Sequence, residues 1–327
     1  VGRAGVGTVT TQPNAPSADP ATIAWLLDGD PAIRWQTQRD LLDEPPAVFE
    51  GERARVSIVG WGRDLLDRQD LDGRWGGGLY SPKWTSTTYT LLLLWRLGLT
   101  PGNAQALRGV RLLWDGARYF GSGLTCAVTI DAPEVCVTAM YITLAVHFGF
   151  DDQRVDSAVD WLVSNQMCDG GWNCEALRSG AEHGSFHTSI MVLEALEVVS
   201  RLHDHPGDIE PVMQRGQEFF LAHRLFRSHH TGEVVNPVFG RLSFPPRWHY
   251  DILRGLDHFA ATSAPWDERA RDAYDLVVGR RRKDGRWPVQ QKHSGRVWFD
   301  MERTGGPSRW NTLRALRVLE WAERASA

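Results

Sequence analysis

Gln166-Met167-Cys168-Asp169-Gly170-Gly171-Trp172 is a turn written into the chain three times. Its relatives are Gln69-Asp70-Leu71-Asp72-Gly73-Arg74-Trp75 and Arg281-Arg282-Lys283-Asp284-Gly285-Arg286-Trp287, all of the form Q/R-x-x-D-G-x-W. Asp-Gly makes a tight turn, with Gly supplying the positive φ. The Trp that follows is a large apolar plate, and the Gln or Arg can hydrogen-bond nearby backbone. These residues read as structural staples between repeats.

Working outward, the segment before each turn is amphipathic. Arg154-Val155-Asp156-Ser157-Ala158-Val159-Asp160-Trp161-Leu162 sets apolar residues three and four apart against charge, the pattern of an outer helix with one wet face. Similar stretches lie at 50–68, 104–115, 209–224 and 267–282, with a short one at 20–28. After each turn comes a helix that is apolar nearly all round, such as Thr90-Leu91-Leu92-Leu93-Leu94-Trp95, and such helices are usually buried. Inner helices of this type are expected to begin near 31, 83, 133, 185, 246 and 306, several with Pro at or just before the start. No strand pattern exceeds a few residues. Six inner and about six outer helices give an all-α fold, an (α/α)6 toroid, over residues 20–327. Residues 1–19, rich in Gly, Thr, Ala and Pro without an apolar core, read as a disordered leader.

Composition narrows the function. A net charge of -4 with no basic face argues against a nucleic-acid partner, and no apolar run is long enough to span a membrane. Cys126, Cys136, Cys168 and Cys174 are too few for a disulfide framework in a chain this long, so the expected compartment is the cytoplasm.

The helix starts supply the candidate site. Arg34-Trp35-Gln36, Lys83-Trp84-Thr85, Glu134-Val135-Cys136, Ser185-Phe186-His187, Arg247-Trp248-His249 and Arg309-Trp310-Asn311 recur about every 50 to 62 residues. In this register Gln36, Thr85, Cys136, His187, His249 and Asn311 point at one place in a closed ring. Cys136, His187 and the nearby Glu134 are zinc-ligand types, and a set of three would keep the open position that catalysis needs. Arg34, Lys83, Arg247 and Arg309 form a cationic rim at helix N-termini, suited to a substrate anion or balanced by protein acids. For Arg247 and Lys83 a substrate anion is expected, and for Arg34 protein pairing. Trp84, Trp248, Trp310 and Tyr89 would line an apolar lumen, where aromatic faces stabilise cations, although repeated Trp also serves packing. His249, Tyr250, Asp251, Asp131 and Glu302 are the acid–base candidates. His183, His229 and His230 lie in polar loops with no assigned role.

The turns and the alternating helices resemble the repeats of squalene–hopene cyclases and protein prenyltransferases, across residues 20–325. That resemblance implies one barrel of the kind that those cyclases use in pairs. The D-x-D-D acid of the cyclases and the D-D-x-x-D motif of ionising terpene synthases are both missing. Glu134-Val135-Cys136 and Phe186-His187-Thr188 are similar to the zinc-ligand motifs of prenyltransferase β subunits, with Glu in place of Asp. The resemblance therefore implies zinc at Glu134, Cys136 and His187, with His249 as a fourth ligand or a base. It implies prenyl or alkyl transfer to a small amphiphilic substrate, and nothing in the chain indicates an α-type partner subunit. Two other readings stand beside it. One is a metal-free terpenoid cyclase with Asp131, Glu134 or Asp251 as proton donor; the other is a binding protein for an apolar ligand.

Overall fold

Pro20, Pro31 and Pro46 stand at the first positions of three helices, where the missing N–H costs little. The computed structural model describes residues 18–326. In chain order the helices are α1 (Pro20–Leu27), α2 (Pro31–Asp40), α3 (Pro46–Ala54), α4 (Gly60–Leu66), α5 (Thr87–Leu97), α6 (Ala104–Gly116), α7 (Val135–Phe148), α8 (Arg154–Ser164), α9 (Ala176–Ser179), α10 (Phe186–Leu202), α11 (Glu210–Ala222), α12 (Ile252–Ala261), α13 (Arg271–Gly279) and α14 (Arg309–Ser326). Asp30, Ser185 and Asp251 cap α2, α10 and α12 with side-chain oxygens, satisfying N–H groups that helix starts leave free. Gly98 and Gly149 end α5 and α7 in the left-handed conformation. Two short antiparallel ribbons, β1 (Arg118–Phe120) with β2 (Gly123–Thr125) and β3 (Trp287–Pro288) with β4 (Pro307–Ser308), and three short 3-10 turns at Arg55–Ser57, Pro237–Gly240 and Glu268–Ala270 complete the described elements. The expected leader lies outside the described residues except for Ala18 and Asp19, and Asp19 caps α1.

Six helices, α2, α5, α7, α10, α12 and α14, form the inner ring, and contacts can be followed around it. Trp35 Nε1 of α2 donates to Leu97 O of α5, and Thr88 of α5 meets Tyr141 of α7. The α7 and α10 helices pack along their lengths. Glu194 of α10 pairs with Arg254 of α12, and Asp257 of α12 with Arg314 of α14. Arg317 of α14 then reaches back to Asp40 of α2, closing the toroid. All residues of α7 except Cys136 are buried, as its apolar sequence requires, whereas α8 buries only Val155, Ala158, Val159 and Leu162.

The three Trp turns are equivalent in detail. Trp75, Trp172 and Trp287 are fully buried, and their Nε1 atoms donate to Leu65, Leu162 and Val277 at the ends of the preceding outer helices. Their backbone N–H groups donate to Thr87, Ser189 and Thr312 of the next inner helix. Gln69, Gln166 and Arg281 each donate to the carbonyl of the turn glycine, Gly73, Gly170 and Gly285. Outer helices leave room for the plates: a Cβ at Gly109 or Gly216 would lie 2.8 Å from Trp75 or Trp172.

The expected common register of the helix starts does not hold. The second and fifth inner helices begin at Thr87 and Ile252, later than expected, so Lys83-Trp84 and Arg247-Trp248-His249-Tyr250 are loop segments. Pro245 and Pro246 disfavour helix in the residues that precede them, and Asp251 supplies the cap further on. Lys83 and Trp84 instead exchange backbone hydrogen bonds with Arg296. Gln36 consequently lies deep in its helix, Thr85 and His249 precede their caps, and Cys136 and His187 follow theirs.

Candidate functional site

Below the mouth formed by the inner-helix N-termini, buried ion pairs close the lumen. Arg254 Nε and Nη2 donate to Glu194 at 2.8 and 2.6 Å, and Arg96 Nη2 donates to the same carboxylate at 2.8 Å. Burial alone would raise the Glu194 pKa, but Arg254 and Arg96 outweigh it and hold the carboxyl at about 2. Arg254 Nη1 also donates to His249 O at 2.7 Å, so this layer fixes the loop above it.

Above that layer, a pocket of about 280 Å³ opens at the mouth, lined by Trp84, Phe244, Arg247, His293, Trp298 and Glu302 among others. Typical ligand pockets run from roughly 300 to 1,000 Å³, so this one suits a small molecule. Arg247 is its unusual member. Its backbone sits at φ 57, a region that costs non-glycine residues roughly 1–2 kcal/mol. Its guanidinium stands 5.4 Å from the Trp84 ring and has no carboxylate partner among the described residues. Burial pushes its pKa down to about 10. Lys83 is exposed at the rim, with Nζ 5.4 Å from the Trp248 ring and no ion-pair partner among the described residues. Arg34, by contrast, pairs with Glu52, and Arg309 lies 3.7 Å from Asp28 and donates to Trp25 O.

Three imidazoles flank the mouth. His249 is stacked between Trp248 and His293, with ring centroids 3.7 and 3.8 Å away. His187 stands edge-on to His249 at 5.7 Å, and its Nδ1 accepts the Tyr250 N–H. Burial, followed by neighbouring cations and imidazoles, lowers the three pKa values to about 4 for His187, 3 for His249 and 4 for His293. They are neutral at pH 7.

Several expected site residues have other work. Asp131 is 88% exposed and paired with Arg118 on the surface, away from the lumen. The Asp251 carboxylate is taken up by the backbone and hydroxyl of Ser243 and by the Arg254 N–H. Tyr250 is buried among Phe186, Phe220 and Phe239, with its hydroxyl donating to Leu225 O. Gln36 bonds Arg96 O and Arg317, and Asn311 bonds Pro288 O, so neither amide reaches the mouth. Trp310 stacks on Phe244 at 4.3 Å, and Tyr89 packs edge-on against Trp84. His229 bonds His223 on the surface.

The expected zinc set is not assembled. Glu134 accepts the Thr125 hydroxyl, the Cys136 N–H donates to Cys174 Sγ at 3.2 Å, and His187 turns toward His249 and Trp248. Among the described residues no group of three His, Cys, Asp or Glu side chains is arranged to hold a metal. The cysteines instead face a hydroxyl and one another: Tyr141 donates to Cys126, and Cys136 neighbours Cys174.

The ring and its openings define the chain as an all-α toroid with a small-molecule-sized, aromatic and cationic mouth. No protein-family model and no curated protein matches it. Among solved structures, a protein from Actinoplanes aligns at a TM-score of 0.47 with 18% identity, covering 90% of each chain. The type II terpene cyclase MstE from Scytonema, in its apo form, aligns at 0.46 with 15% identity, over 94% of this chain and 96% of that one. Likenesses this distant carry no activity across. Among the described residues, no helix is long and apolar enough to cross a membrane.

Proposed function

We propose that the chain binds a small amphiphilic anion at the mouth of the toroid and acts on it by acid–base chemistry, as a terpenoid-cyclase-like enzyme. The unpaired, desolvated guanidinium of Arg247 carries this reading. A half-buried, desolvated cation without a counter-ion is costly, and an anionic headgroup would restore the balance. Lys83 supplies a second positive charge. The apolar part of the ligand would lie against Trp84, Trp298 and Phe299, whose faces can stabilise developing positive charge.

Glu302 is the acid in this reading. It lines the same pocket, and burial raises its pKa despite hydrogen bonds from Ser308, Trp310 and Arg309. That upward shift moves the carboxyl toward the protonated form, the form that could deliver a proton to a double bond held against the aromatic wall. The zinc-dependent prenyl transfer that the sequence resemblance implies finds no supporting donor set here. One observation favours a binding protein instead: both Glu302 oxygens already accept from the first turn of α14 or its cap.

Calorimetry with a short isoprenoid carboxylic acid, followed by product analysis, tests the proposal. Wild-type binding that weakens roughly 10- to 100-fold in Arg247→Ala fits loss of a charged hydrogen bond. Turnover that disappears in Glu302→Gln while binding persists makes the protein an enzyme of this type. Binding with no turnover makes it a carrier, and no binding rejects the proposal.

A further inference from the structure

A second, larger cavity opens at the opposite end of the lumen, where the inner helices finish. It holds about 540 Å³, and residues from the last turns of all six inner helices or just beyond them line it, including Arg39, Arg96, His147, Arg201, Ala261 and Arg324. Arg96 and Phe244 also line the smaller spaces near the mouth and so mark the boundary between the two ends.

The charges around this cavity do not balance. Asp40 accepts from both Arg39 and Arg317, and Asp257 accepts from both Arg314 and Arg317. Glu194 is shared between Arg96 and Arg254. Five guanidinium groups therefore share three carboxylates within the lumen wall. Arg53 adds a further cation, which spends its Nε on Gly98 O and meets only the half-exposed Glu50. Of the other lining acids, Glu197 is taken by Arg201, and Asp43 is exposed at the rim. Helix carbonyl ends offset part of the excess, because their dipoles are negative here. They do not remove it: burial chiefly lowers the Arg96 pKa to about 10, and repulsion from Arg254 and Arg314 adds to that shift against the attraction of Glu194.

The guanidinium groups are also held in place. Arg39 and Arg53 lie over the Trp35 ring at 4.5 and 5.1 Å, and Arg96 lies over Trp95 at 4.7 Å. Stacked guanidinium forks lose little freedom on binding and match the oxygen spacing of phosphate. We propose that this cavity is a binding site for a small phosphate-bearing dianion, a phosphate monoester or diphosphate, held by Arg39, Arg53 and Arg96. The site is separate from the Arg247 mouth, and its ligand need not be the substrate bound there.

Inorganic pyrophosphate is the probe, read by thermal melting and calorimetry against potassium chloride of equal ionic strength. The wild type should gain about 2–4 °C when pyrophosphate stands near ten times its dissociation constant. Arg247→Ala should keep that gain, and the double variant Arg39→Ala/Arg53→Ala should bind at least tenfold more weakly. If the alanine pair does not fold, Arg39→Lys/Arg53→Lys retains both charges but loses both forks, and should weaken binding several-fold. No gain over the salt control overturns the proposal. So does a gain that is lost in Arg247→Ala and intact in the Arg39 and Arg53 variants.

Discussion

Arg254 and Glu194 face each other across the α10–α12 seam through two hydrogen bonds of 2.8 and 2.6 Å, with Arg254 only 1% exposed. Removing one partner of such a buried pair strands the other. Glu194→Ala leaves both Arg254 and Arg96 without a carboxylate and is expected to cost at least roughly 3–5 kcal/mol. Equilibrium urea unfolding measures it, and a loss below about 1 kcal/mol would show that the layer is solvated rather than sealed.

That layer was legible in part. Glu194 and Arg96 each interrupt an otherwise apolar inner-helix run, as in Ile190-Met191-Val192-Leu193-Glu194-Ala195-Leu196. A charge on a helix that is buried all round has to find a partner on a neighbouring helix, so these lone charges were the signal for the lumen wall. The helical periodicity and the three Asp-Gly turns likewise announced the ring, because both are local and repeat. The mouth was harder to read. Its register was inferred by aligning aromatic residues, but the Trp84 and Trp248 segments are irregular backbone set by prolines and by pairing with Arg296, a contact more than two hundred residues distant in sequence. His293 and Trp298 come from the connection between the last outer and inner helices, and no spacing rule links that connection to Trp84 or Thr90. Cys136 and His187 share a local pattern but diverge because each follows the partner that its own helix meets.

Acid stability should fall in two stages. His249 and His293 have pKa values lowered to about 3 and 4, mainly by burial, so the unfolded chain takes up their protons first as pH drops below about 6.5. Stability is therefore expected to decline from that pH down to about 4 for His293 and about 3 for His249. Glu194 works in the second stage: its depressed pKa stabilises the fold fully above about 4.5 and ceases to as pH falls through about 2. Urea titrations between pH 7 and 3 check the first stage, and His293→Asn should lessen its slope by up to one proton. An unchanged slope would mean that His293 is solvated in the folded state.

Gly216→Ala tests the packing of the repeats. The added Cβ would fall 2.8 Å from both the Leu193 and Trp172 side chains, in a core with no exposed path for relief. Overpacking of this kind costs about 1–3 kcal/mol, outweighing the gain in helix propensity of roughly 1 kcal/mol. A variant more stable than wild type in thermal melts would show that the Trp172 plate is loosely seated.

Arg247 and Arg254 give the sharpest contrast, because the half-buried Arg247 and the buried Arg254 lie in the same loop-to-helix segment with opposite surroundings. Arg254 satisfies Glu194, the Met191 sulfur and two backbone carbonyls. Arg254→Met removes those bonds and leaves Glu194 with Arg96 alone, so a loss of roughly 3–5 kcal/mol is expected. Arg247 has no carboxylate to strand, and Arg247→Met replaces a desolvated charge with an apolar chain of similar length. Its stability should stay within about 0.5 kcal/mol of wild type, or rise. Ligand dependence should run the other way: millimolar isoprenoid carboxylate should stabilise wild type and leave Arg247→Met unmoved, because bound anion adds stability only where its counter-ion remains. Equal destabilisation by the two substitutions, with no ligand effect on wild type, would make Arg247 a structural residue and remove the main support for an anion at the mouth.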